Sequence, residues 1–81
     1  MDENEIRALV LQALDEVAPG VDKSGLRPEQ PLRAQIDLDS MDWLNCLAEL
    51  GGRLKIEIPE ADYGRLGTLE ALVSYLKERL S

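Results

Sequence analysis

The run Ile36-Asp37-Leu38-Asp39-Ser40-Met41-Asp42 sets one hydroxyl among three carboxylates, directly before the most apolar helical pattern in the chain. Asp39 is a good N-cap type: its carboxylate can accept from the first free backbone N–H groups, and Asp42 three positions on completes an acidic capping box. Ser40 then takes the first helical position. A hydroxyl there points outward beside the positive end of the helix dipole, where backbone N–H groups favour an attached or bound phosphate. Two readings fit this local pattern: a well-capped helix and nothing more, or a serine that meets a phosphate.

Other chemistries are poorly supplied. The chain has no His and a single Cys46, so Ser-His-Asp and Cys-His nucleophilic catalysis, the usual zinc ligands and an internal disulfide are all excluded. Asp37 and Asp39 alternate as the first ligands of a calcium loop do. Met41 nevertheless falls where a third oxygen belongs, Asp42 where glycine is needed and Ala48 where the bidentate glutamate should be, so no metal site is expected. No residue is expected to be catalytic.

The elements that must position Ser40 come from one small domain of 81 residues, 44% apolar, with only Trp43, Tyr63 and Tyr75 as aromatics. Its core must therefore be built from Leu, Ile, Val and Ala, the composition of a helical bundle. The net charge of −7 argues against nucleic acid and anionic membranes and for basic protein surfaces as partners. No apolar run reaches the roughly 18 residues that span a bilayer, and Met1-Asp2-Glu3-Asn4-Glu5 is unlike the basic start of a signal peptide. A cytoplasmic, monomeric protein is expected.

Residues 2 to 18 read as a first helix: Ile6, Leu9, Val10, Ala13, Leu14 and Val17 recur at three- and four-residue spacing, Asp2 and Glu5 form a capping pair, and Pro19-Gly20 ends it. A connection from Val21 to Leu38 follows, containing Gly25, Pro28 and Pro31 and no helical period. It is longer than the roughly 12 to 15 residues at which structureless loops become uncommon and usually functional. Val21, Leu26, Leu32 and Ile36 are expected to pin it across the bundle.

In the second helix Met41, Leu44, Leu47, Ala48 and Leu54 form one apolar row, and Trp43, Cys46 and Leu50 a second. So wide an arc is expected to face several neighbours or a pocket. Gly51-Gly52 is expected to lie in regular helix, where each glycine costs about 1 kcal/mol relative to alanine. Ile56-Glu57-Ile58-Pro59 reads as extended. A short third helix fits Glu60 to Tyr63, ended by Gly64. Thr68 caps a last helix striped by Leu69, Leu72, Val73, Leu76 and Leu80, with Lys77 and Arg79 suiting the dipole at its end.

Three long helices, a long first loop, a short third helix and Asp39-Ser40-Met41 opening the second helix together resemble an acyl carrier protein, a phosphopantetheine-binding carrier domain. The Ile56-Glu57-Ile58-Pro59 segment also resembles the end of that family's second loop, at a spacing from the serine that needs no gap. The resemblance covers nearly the whole chain and implies an all-α four-helix bundle over residues 1–81. It implies further that a phosphopantetheinyl transferase attaches 4′-phosphopantetheine from coenzyme A to Ser40, with Asp39 and Met41 flanking the site, and that the arm's thiol holds acyl groups as thioesters. Ser24, Ser74 and Ser81 lack both the preceding aspartate and a helix start.

The segment from Asp37 to Asp62 holds seven acidic residues against Arg53 and Lys55, and therefore −5 of the net −7. Asp37, Asp42 and Glu49 are the expected docking carboxylates toward enzymes with basic patches. Leu47, Leu50, Leu54, Ile58, Leu66 and Leu72 are the expected acyl pocket. Departures from the family pattern are Asp37 for glycine, Met41 for leucine, Asn45 for glutamate, and Gly51-Gly52 for acidic helix formers. They suggest a dedicated carrier for a specialised fatty-acid, lipid or polyketide pathway. Alternatives are an aminoacyl or peptidyl carrier, and a small acidic helical adaptor without a prosthetic group.

Overall fold

The computed structural model describes residues 1–80, and its three long helices begin where the sequence supplies caps. Helix α1 spans Glu3–Val17; the Asp2 carboxylate accepts the Glu5 N–H at 2.9 Å, and Ile6, Val10, Ala13 and Leu14 are buried on one face. No basic residue occupies its last turn. Lys23 supplies one from the loop, donating to the Asp15 carboxylate at 3.0 Å and to the carbonyls of Ala18 and Val21 at 2.9 Å. A cation at that end complements the dipole and satisfies a carbonyl the helix cannot. Gly20, at φ +83°, turns the chain away.

The long first loop is more ordered than expected: Leu32–Gln35 forms a single helical turn, α2, directly after Pro31. Four residues are too few to show a period, so the pattern could not announce it. The Gln35 side chain knots the segment, accepting from the Arg27 N–H at 2.7 Å and donating to the carbonyls of Arg27 and Gln30. Two backbone bonds then tie the loop to the start of the last helix, Leu32 N–H to Gly67 at 2.8 Å and Glu70 N–H to Pro28 at 3.0 Å. Leu32, Ile36 and Leu38 are buried and Leu26 is partly so, but Val21 is 39% exposed and pins nothing. The expected anchor at Val21 is replaced by Leu38.

Helix α3 covers Ser40–Leu54 and runs through Gly51 and Gly52 as regular helix, ending at Lys55 in the left-handed conformation at φ +56°. Its apolar arc is split. Trp43, Cys46, Leu47 and Leu50 enter the core, while Met41 (66% exposed), Leu44 (38%) and Ala48 face out, against the expectation that the whole arc meets neighbours. The short third helix is a 3₁₀ helix, Glu60–Arg65, which continues through Gly64 rather than stopping there. Helix α4 is Leu69–Leu80, capped by the Thr68 hydroxyl accepting from the Ala71 N–H at 3.0 Å.

Helix α1 packs on both α3 and α4, and the buried faces of all three meet in one core. Tyr75, which lies off the leucine stripe, is buried beside it. Its hydroxyl donates to Asp62 at 2.7 Å, Arg79 donates to the same carboxylate at 3.2 Å, and the Arg79 guanidinium stands 4.7 Å over the Tyr75 ring. This cluster fastens the 3₁₀ helix to α4. The architecture is the expected all-α bundle of three long helices and a short third one, with α2 added in the first loop.

Candidate functional site

Helix α3 begins as the capping pattern requires. Asp39 stays extended (φ −83°, ψ 174°), its carboxylate accepts the Asp42 N–H at 2.8 Å, and its carbonyl accepts the Trp43 N–H at 3.0 Å. The Asp39 side chain is thereby turned onto the helix end and away from Ser40's outer side. Ser40 is exposed at the first helical position, between exposed Asp37 and Asp39 and the strongly exposed Met41. Ser24 instead sits in the loop with its hydroxyl bonded to Asp22 at 2.6 Å, Ser74 lies inside α4, and Ser81 falls outside the described residues.

Beside Ser40 lies a groove of about 350 Å³, walled by Trp43 and Leu44 of α3, Tyr63 and Gly64 of the 3₁₀ helix, Gly67, and Arg33 of α2. Arg33 is held there by donating through Nε to the Leu38 carbonyl at 3.3 Å. Sequence reasoning did not place Arg33 or Tyr63 in any site. The groove brings residues of α2, α3 and the 3₁₀ helix together across the chain, and no local spacing reports a contact of that kind.

The other expected site residues divide. Asp42 is half-buried in the first turn of α3, and Glu49 is exposed two turns along. Glu49 is engaged, however, in a salt bridge with Arg53 at 3.0 Å, and Arg53 also pairs with Glu16 and reaches Gln12 of α1 at 3.4 Å. The Glu49 hydrogen bond is the foremost reason that the Arg53 guanidinium is held above its ordinary pKa. This network bridges α1 and α3, so Glu49 has a structural partner as well as an exposed face.

Of the residues expected to line an acyl pocket, Leu47, Leu50, Leu66 and Leu72 are fully buried and packed, while Leu54 and Ile58 sit half-buried at the edge. Cys46 is buried among them, and its thiol is pushed up to about 12, chiefly by desolvation and secondarily by the charges of Glu16 and Glu49. A thiol so far from ionisation is a packing group rather than a nucleophile. Among the described residues no cluster of acids could hold a metal ion, and no helix is long and apolar enough to cross a membrane.

A small helical bundle that presents an exposed serine at a capped helix start, beside a groove, has the form of a carrier domain. The family described as phosphopantetheine attachment site matches residues 4–76. The chain is 33% identical to an acyl carrier protein of Rubrobacter xylanophilus over 81 residues, covering 96% of this chain and 95% of the relative. It is 28% identical to one of Chlorobium luteolum over 79 residues (98% and 100%) and 27% identical to one of Chlorobium phaeovibrioides over 60 residues (74% and 77%). The chain belongs to the phosphopantetheine-binding acyl carrier protein family, whose members are carriers and not catalysts. Its cofactor is a covalent 4′-phosphopantetheine. The residues present fit that group, because a free hydroxyl, a helix N-terminus and an arginine surround the place where a phosphate would be joined.

Proposed function

We propose that Ser40 is the attachment point of the 4′-phosphopantetheine arm and that this chain, as a single carrier unit, conveys acyl groups between enzymes. The observation that carries this is the exposed Ser40 hydroxyl at the first position of α3, behind the Asp39 cap. When bound, the arm supplies a terminal thiol on which an acyl group is held as a thioester. The work of this chain's own residues is presentation. Asp39 fixes the helix start that aims Ser40 outward, and Met41 and Leu44 offer an apolar patch beside it. Asp37, Asp42 and the outer face of Glu49 surround that patch with negative charge.

This arrangement supports weak, fast and salt-sensitive docking of a phosphopantetheinyl transferase and of acyl-loading and acyl-processing enzymes with basic patches. Such a carrier works as a monomer among cytoplasmic enzymes. The departures at Asp37, Met41, Asn45 and Gly51-Gly52 support a dedicated partner set, in a specialised fatty-acid, lipid or polyketide pathway. Leu47, Leu50, Leu54, Ile58, Leu66 and Leu72 are proposed to receive the acyl chain, opening as it enters.

The test is intact mass. Incubation of the apo protein with coenzyme A and a broad-specificity transferase should add one phosphopantetheinyl group, located on the peptide containing Ser40. The Ser40→Ala protein should gain nothing. No gain in the wild type, or a gain that survives Ser40→Ala, overturns the assignment.

A further inference from the structure

We propose that Arg33 holds the phosphodiester of the arm and parks the pantetheine in the groove between Trp43 and Tyr63, so that the unloaded arm rests on the protein instead of extending into solvent. The inference rests on attachment at Ser40 and goes beyond it, because attachment alone leaves the arm free.

The surroundings of Ser40 are otherwise acidic, with Asp37, Asp39 and Asp42 all within three positions. A phosphodiester carries a negative charge, and charge repulsion from these carboxylates would drive it outward. Arg33 is the cation that shares a wall with Ser40. Its Nε is committed to the Leu38 carbonyl, which fixes the plane of the guanidinium and leaves the terminal nitrogens as donors. A planar, preoriented guanidinium is the side chain best matched to phosphate oxygens. The groove is also lined by Leu44, the half-buried Tyr63, the edge that the largely buried Trp43 leaves exposed, and Gly64 and Gly67, which add no side chains to it. The arm's geminal methyl groups and amide-linked chain suit such walls, and its tether at Ser40 places it there at high effective concentration.

Because Arg33 is exposed, the pairing shifts the population of parked and free arms by only a few-fold and weakens with salt. Parking of this strength shields the terminal thiol without preventing a partner from drawing the arm out.

Trp43 is the only tryptophan, so the wall carries its own probe. Apo and holo forms of the wild type, Arg33→Gln and Arg33→Lys would be prepared, with conversion verified by intact mass. Trp43 emission and the ring resonances of Trp43 and Tyr63 would then be compared between apo and holo of each variant. Gln can still donate to the Leu38 carbonyl, so it removes the charge while keeping the loop contact. The proposal expects the wild-type rings to respond to the arm, with contacts from its methyl groups to Trp43 and Tyr63. It expects that response to fall about two- to five-fold in Arg33→Gln or in 1 M salt, and to be largely kept in Arg33→Lys. Holo protein whose Trp43 and Tyr63 signals match apo, or whose response is the same in Arg33→Gln, overturns the parking while attachment stands. Failure to gain the arm at all overturns attachment, and parking with it.

Discussion

A β-carbon added to Gly51 would lie 3.0 Å from the carbonyl oxygen of Ile56, whereas one added to Gly52 would meet nothing within 4 Å. The two glycines share regular helix but not a role. The Ile56 carbonyl cannot simply retreat, because the Gly51 carbonyl accepts the N–H groups of both Lys55 and Ile56 and so folds the chain back over the helix end. Gly52→Ala should therefore stabilise the protein by up to about 1 kcal/mol, the ordinary helix-propensity difference. Gly51→Ala should destabilise it, and the double mutant should fall short of the roughly 2 kcal/mol that two unconstrained helical glycines would return. Urea denaturation of the three variants checks this. Equal gains at both positions would show that Ile56 moves aside freely.

The docking prediction must respect the bond between Glu49 and Arg53. Reversing Glu49 to lysine would break a bridge between α3 and α1 as well as change surface charge, so neutral isosteres separate the effects better. Asp42→Asn with Glu49→Gln should slow association with the transferase by about two- to ten-fold at low ionic strength, and much less at high salt. Stopped-flow association measured across a salt series gives the answer. A rate unaffected at low salt assigns docking to another surface.

What the sequence showed of this fold follows from which forces are local. Caps and stripes are local, so Asp2, Asp39 and Thr68 announced three helix starts correctly, and Ser40 could be singled out before any contact was known. Tertiary placement is not local. Met41 and Leu44 face out although they continue the apolar row, the one-turn α2 is joined by a backbone bond to Gly67, and Arg33 of α2 lines the same groove as Ser40 of α3. Tyr75 escaped notice because its anchor, Asp62, lies thirteen residues away.

Tyr75 should govern how firmly the 3₁₀ helix is held. Its hydroxyl is pushed above the ordinary tyrosine pKa of 10.0, first by the hydrogen bond to Asp62 and then by desolvation. A folded-state pKa above the unfolded one means the contribution is complete below pH 10 and is lost as pH rises through the folded value. Raising the pH from 9 to 11 should accordingly loosen Glu60–Arg65 in the wild type, and Tyr75→Phe should show that looseness already at pH 7, with a lower melting temperature. Hydrogen exchange at pH 7 and tyrosine absorbance titration are the measurements. Unchanged protection in Tyr75→Phe would assign the fastening to Arg79 alone.

Cys46 offers a reporter for opening of the bundle. With its thiol pushed up to about 12, it stays protonated through neutral pH, and its contribution to stability is present below the ordinary value of 9.0 and lost above it. Labelling by a thiol reagent at pH 8 should run about a hundred-fold or more slower in the folded protein than in urea, because it must wait for α3 to open. Equal rates would mean that Cys46 is reached without opening.

The proposed acyl pocket makes the most demanding prediction, because its expected lining is already packed: Leu47, Leu50, Leu66 and Leu72 are buried and in contact with the core. A chain that enters must displace side chains, at a free-energy cost that grows with its length until its own burial offsets it. Leu50→Ala changes that balance. In the unloaded protein the truncation should cost about 2 to 5 kcal/mol, transfer and cavity terms together. A long acyl chain attached through Ser40 can refill that volume, whereas a two-carbon group cannot reach it. The melting temperature of Leu50→Ala should therefore rise more on loading a long acyl group than that of the wild type, and short-chain loading should separate the two proteins little. An equivalent truncation at Ala13's neighbour Leu14, on α1 and outside the proposed pocket, should be equally harmful but not rescued. Calorimetry on the short- and long-chain forms of the wild type, Leu50→Ala and Leu14→Ala decides it. If the long chain fails to restore Leu50→Ala, or restores Leu14→Ala just as well, the chain does not occupy the space between α3, the 3₁₀ helix and α4.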